Sequence, residues 1–197
     1  MKKLLSVLFL LAMLGFLSGC ARVEKPAPDY RSLLIRAAVH GDTEAGHLAA
    51  QERNAQLDEL GSPDARVDFD ELLLLSRYLT LRAGNERQSD TLRFCTGEVL
   101  LNRVASPEFP DTLAEVLGQE GEYPETQTGD FAALLPSRPC VETALDLLLG
   151  SRLLDERTVY QCEGTPRGTV CATFCDRWYH TTYFCLSEHP ELYERAG

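Results

Sequence analysis

Ser89 to Thr112 reads SDTLRFCTGEVLLNRVASPEFPDT, and this stretch decides how the rest of the chain is parsed. Ser89 stands where an N-cap belongs. Leu92, Cys95 and Val99 form one apolar stripe at helical spacing, and Phe94, Gly97 and Leu101 form a second, so the spacing predicts a helix to about Val104 that is buried on more than one side. Ser106-Pro107 ends it. Phe109-Pro110-Asp111-Thr112 then opens a short helix through Leu117.

Working outward, Asp68 caps the preceding helix, with Glu71 as its capping-box partner and Val67 and Leu72 as a hydrophobic staple. Leu72, Leu75, Leu79 and Ala83 keep one face of that helix apolar, and Gly84 stops it. Tyr30 to Leu60 carries a broken helical pattern, divided into two helices at Gly41-Asp42. Residues 118–130 read as loop. Pro139 opens a last helix from Cys140 to Leu149, closed by Gly150. After Asp155 the composition turns to β-formers: Thr158-Val159-Tyr160, Thr169-Val170-Cys171 and the aromatic run from Trp178 to Cys185 predict a small antiparallel sheet. Helices first and a sheet afterwards make the expected class α+β.

The chain has 197 residues, 44% hydrophobic and 25% charged, with a formal charge of −11. That is enough apolar material for one modest globular domain and argues against a disordered chain. An acidic surface repels phosphate backbones, so no nucleic-acid partner is expected. The N-terminus MKKLLSVLFLLAMLGFLSGC has a basic start, an apolar run too short for a membrane span, and the lipobox tetrad Leu17-Ser18-Gly19-Cys20. It predicts a signal peptide over 1–19, acylation of Cys20, a polar tether over 20–29, and a protein held outside the cytoplasm on the cell membrane by its lipid. Beyond it lie an N-terminal helical segment, 30–64, and a main domain, 65–197.

Six cysteines remain after Cys20: Cys95, Cys140, Cys162, Cys171, Cys175 and Cys185. An even set in an oxidising compartment reads as disulfides of undetermined pairing. Zinc at Cys171, Cys175, His180, Cys185 and His189 is the competing reading, but no C-x2-C pair supports it, and neither metal nor cofactor is expected. The chain lacks G-x-S-x-G, H-E-x-x-H, a P-loop and G-x-G-x-x-G, which leaves carboxylates to carry any chemistry. Glu98, beside Gly97 on an apolar helix face, is a candidate acid of the glycoside-cleaving kind. The alternative is a structural Glu that caps a loop or pairs with Arg103.

Glu98 to Thr112, EVLLNRVASPEFPDT, closely resembles the core motif of the SleB-type cell wall hydrolases, the spore-cortex-lytic family, whose pattern is roughly V-V-L-N-R-V-x-S-x-x-F-P-D-T. Leu75-Ser76-Arg77-Tyr78 resembles the family's L-A-R-x-I-Y-x-E-A segment, and Val116 to Tyr123 is similar to V-x-Y-Q-P-G-Q-F. Val159-Tyr160-Gln161 and Tyr183-Phe184-Cys185 look like the closing sheet of clostridial members. The resemblance covers about residues 70–186 and implies a lysozyme- or lytic-transglycosylase-like fold. It also implies cleavage of peptidoglycan glycan strands with a Glu as general acid/base, and substrate contacts at Gln119 and Tyr123. The family's catalytic Glu falls on Arg82, however, and a guanidinium does not donate a proton at physiological pH. Glu86, Glu98 and Glu122 are the candidate replacements. Arg82 facing Glu122 across the cleft is an expected ion pair, and Arg82 as a solvated residue of the last helical turn is the alternative. Tyr123, Trp178, Tyr179 and Tyr183 are candidates to stack on sugars, although aromatics beside a small sheet are more often core. Two functions follow: a glycan-cleaving hydrolase, or a catalytically inactive relative that binds peptidoglycan or an envelope partner. A structural envelope scaffold is a weaker third.

Overall fold

The structure is a computed structural model and describes residues 28–84, 89–176 and 180–193. The expected signal peptide, the acylated Cys20, Glu86, Trp178 and Tyr179 lie outside the described residues.

Side-chain caps set the helix starts. Asp29 accepts from the Ser32 amide (3.1 Å) and starts α1, Tyr30–His40. Gly41, at φ 70°, ends it in the left-handed region that favours glycine. Asp42 accepts from the Ala45 amide and starts α2, Thr43–Glu59. Asp68 accepts from both the Asp70 and Glu71 amides to start α3, Phe69–Ala83, and Ser89 caps α4, Asp90–Ala105, through the Leu92 amide.

Thr112 caps α5, Leu113–Leu117, so that helix begins after the Phe-Pro-Asp-Thr run and not within it. The segment expected to be loop holds a 3-10 turn, Pro124–Gln127, and α6, Gly129–Ala133, which Thr128 caps and buried Phe131 anchors. α7 spans Arg138–Leu148 with Pro139 in its first turn.

Three strands follow: β1 (Thr158–Glu163), β2 (Val170–Cys175) and β3 (Thr181–Leu186). They form an antiparallel sheet in the order β1-β3-β2, with β3 in the centre. The fold class is therefore α+β. No helix among the described residues is long and apolar enough to cross a membrane.

α4 lies where the helices and the sheet meet. Leu100 enters the main core with Leu34 and Ala38 of α1, Ala49 and Ala50 of α2, Leu72, Leu75 and Leu79 of α3, and Val141, Leu145 and Leu147 of α7. The N-terminal helical segment and the main domain therefore share one core. Cys95 and Val99, on another side of α4, close over Phe184 of β3. Gly97 gives the close approach between these contacts, since a Cβ there would stand 2.6 Å from Leu147 Cδ1.

A tighter approach joins α2 to α3. At Gly46 any Cβ would run into the Phe69 ring, which is itself 2% exposed. Gly46→Ala is expected to displace that ring and cost about 1–3 kcal/mol, net of the up to ~1 kcal/mol that alanine contributes to helix propensity. Thermal unfolding of the variant measures this, and an unchanged midpoint would show that Phe69 has another place to go.

Candidate functional site

Asn102 and Arg103, adjacent on the last turn of α4, attach the helix to the first strand. Asn102 Nδ2 donates to the carbonyls of Asp155 (3.0 Å) and Thr158 (3.1 Å). Arg103 Nε donates to the Val159 carbonyl at 2.7 Å, and Nη1 to Glu122 Oε2 at 3.2 Å. The guanidinium lies 4.7 Å from the Phe109 ring centre, 5.4 Å from Tyr123 and 5.8 Å from Tyr160. With its side chain only 7% exposed, it is held by three aromatic faces, a carbonyl and a carboxylate.

Beside this joint opens a polar cleft of about 160 Å³. Tyr78 and Arg82 of α3 form one wall, and Val99 and Arg103 of α4 the floor. Glu122, Tyr123 and Glu125 come from the segment after α5, and Gln161 from β1. Tyr78 and Tyr123 meet edge to face at 5.7 Å. Burial pushes both phenols up, Tyr123 to about 12, so they remain neutral donors. The volume falls below the ~300–1,000 Å³ of pockets that engulf a ligand. It suits one ring or one side group of a longer chain lying across it. A larger concavity of about 430 Å³ runs between α1 and α2 over Leu33, Ala37, Leu48 and Ala49, with Arg36, His40, Asp42 and Glu52 also lining it.

The structure brings Arg82, Glu122 and Tyr123 into one cleft but changes their partners. Arg82 faces Glu125 Oε1 (3.5 Å) and Glu163 Oε1 (3.7 Å), not Glu122, because Glu122 belongs to Arg103. Glu98 is 0% exposed and does not line the cleft. Its two oxygens accept from the Leu153 amide (3.0 and 2.9 Å) and the Leu154 amide (3.0 Å), so it caps the loop after α7. As a catalytic candidate it is corrected to the structural alternative. Gln119 lies outside the cleft lining, and its buried Oε1 has no hydrogen-bond partner.

Tyr78, Val99, Arg103, Glu125 and Gln161 are the cleft residues that sequence reasoning did not single out as site residues. Tyr78, Val99, Arg103 and Gln161 lay inside the quoted motifs. Glu125, two residues past Tyr123, had no distinguishing signal.

Chemically, the cleft combines neutral hydroxyl donors with carboxylates that each face an arginine. A proton donor requires a carboxyl set among apolar groups, away from cations. Here Glu122 is 48% exposed and held by Arg103, and Glu125, 32% exposed, faces Arg82.

All six expected disulfide cysteines are unbridged thiols in this structure. Burial pushes the Cys95 thiol up to about 11. Among the described residues, no three or more His, Cys, Asp or Glu side chains converge on a metal position, so the zinc-reading residues do not form a ligand set. Comparison with protein-family models, curated proteins and solved structures finds no match to this chain.

Two measurements follow. Glu98→Ala strips the acceptor from two part-buried amides and is expected to lower stability by about 1–3 kcal/mol in denaturant titration, while Glu98→Gln, which keeps one acceptor oxygen, loses less. Double-mutant cycles are expected to give Arg82–Glu125 a coupling of about 0.2–1 kcal/mol and Arg82–Glu122 none. A larger coupling for the second pair contradicts the observed pairing.

Proposed function

We propose that this chain is a lipid-anchored envelope protein built on the cell wall hydrolase plan, whose cleft binds peptidoglycan glycan strands without cutting them. One observation carries the reading: both carboxylates lining the cleft face an arginine, and one of those arginines is Arg82, at the position where the resembled family has its acid. Buried neutral phenols at Tyr78 and Tyr123, the amide of Gln161 and two guanidinium–carboxylate pairs supply the alternating donors and acceptors that sugar hydroxyls and acetamido groups take up. The LNRVASPEFPDT run supports the hydrolase plan, because its Asn102 and Arg103 position the cleft. The N-terminal lipobox supports the location. A hydrolase needs a carboxylic acid at the scissile oxygen, and removing a general acid typically costs about 10²–10⁴-fold in rate.

Incubated with purified peptidoglycan, the mature protein is expected to sediment with the insoluble sacculi and to release no soluble muropeptides. Arg82→Ala, which removes a half-exposed side chain and leaves the core intact, is expected to weaken retention by roughly 3–10-fold, the worth of one or two polar contacts. Release of muropeptides, abolished in Glu125→Gln, would replace this reading with the enzyme. Failure both to sediment and to release would end the glycan reading altogether.

A further inference from the structure

We infer that Cys162 and Cys185 form a disulfide that staples the first and third strands beside the cleft. The antiparallel register sets Tyr160 opposite Cys185 and Cys162 opposite Tyr183, with Gln161 opposite Phe184 between them. Cys162 and Cys185 therefore lie on the same face of the sheet as diagonal neighbours on adjacent strands. Half-buried Cys162 packs against the cluster of Val159, Tyr160 and fully buried Cys185. The two thiols act on one another directly. Burial first, then the neighbouring Cys162 and Cys171 thiols, push the Cys185 thiol up, and donation of its S–H to Cys162 adds to the shift.

Of the other described cysteines, Cys171 also neighbours Cys185, and the remaining three are placed elsewhere. Cys140 is sealed in the helical core, and Cys95 lies under the opposite face of the sheet with Val99 and Phe184. The Cys175 thiol turns to the Asp176 carbonyl at 3.5 Å. Cys171, in the bulge of β2, donates to the Phe184 carbonyl at 3.1 Å.

The oxidant is a disulfide-bearing oxidoreductase or a small-molecule disulfide. The Cys162 thiolate, on the accessible side, attacks one sulfur of that disulfide, forming a mixed disulfide and releasing one thiol. Cys185 loses its proton and attacks the Cys162 sulfur, and the second reagent thiol departs. The protein pair gives up two protons and two electrons, and the reagent disulfide is reduced to two thiols. The bond constrains β1, which supplies Gln161 to the cleft, Glu163 to Arg82 and the Val159 carbonyl to Arg103.

The test is independent of any glycan. The mature chain is equilibrated with oxidised glutathione, denatured in an alkylating reagent without reductant, digested and analysed by mass spectrometry. The expected result is one cross-linked peptide pair joining Cys162 to Cys185, with a thermal midpoint that falls by roughly 5–15 °C on reduction. Cys162→Ser, changed on the accessible side so that folding is preserved, is expected to abolish that pair, leave Cys185 alkylatable after denaturation, and unfold near the midpoint of the reduced wild type. Recovery of Cys162 and Cys185 both alkylated from the oxidised protein, or either one linked to a different cysteine, overturns the assignment.

Discussion

A guanidinium taken out of water is tolerable only when its donors and its charge are answered, and Arg103 is the side chain that sets this condition here. The answer comes from three stretches of chain: the Phe109 ring, the Glu122 carboxylate with the adjacent Tyr123 ring, and the Val159 carbonyl with the adjacent Tyr160 ring. Satisfying one residue therefore fixes the end of α4, the start of β1 and the segment after α5 relative to one another. Asn102, one position earlier, bonds two more carbonyls at the entry to the sheet and removes the remaining freedom. The cleft exists because these segments are tied there.

That tie makes the two sides of the cleft mechanically unequal. Glu122 is oriented by a cation that cannot move, since Arg103 is fixed by the main chain and by packing on both faces. On the other side, Arg82 is 40% exposed, and so its pairs with Glu125 and Glu163 belong to the class worth about 0–1 kcal/mol and weakened by salt. A ligand reaching the cleft meets one preformed wall and one whose ion pairs open at little cost.

The helices were legible because their ends are written locally. Asp29, Asp42, Asp68, Ser89 and Thr112 each accept an amide two or three residues on, and a single-sequence reading finds such caps without knowing the tertiary structure. The antiparallel sheet was legible from β-branched and aromatic runs, but not its order, since a central β3 depends on pairing across long loops. The segment 118–130 read as loop because it is mostly polar, and Phe131, the buried residue that docks α6 on the core, lies just beyond it. Glu98 shows the limit most clearly. Helical spacing placed it on an apolar face correctly, yet whether such a carboxylate meets a substrate or two backbone amides depends on where the loop after α7 returns, 55 residues away in sequence. Of the three flagged positions that lie in the cleft, Arg82 and Glu122 were paired wrongly for the same reason.

The pairing error has a physical origin that also bears on the ligand. Glu122 was not available to Arg82, because a buried guanidinium competes for a carboxylate more strongly than an exposed one. The cation at position 82 then takes the carboxylates left over, Glu125 and Glu163. The result is two arginines against three acids, close to charge balance inside a chain whose formal charge is −11. A field of that kind neither draws in a polyanion nor concentrates cations. Besides those pairs the cleft holds a fixed array of donors and acceptors around two neutral phenols, and the glycan-binding proposal rests on that array.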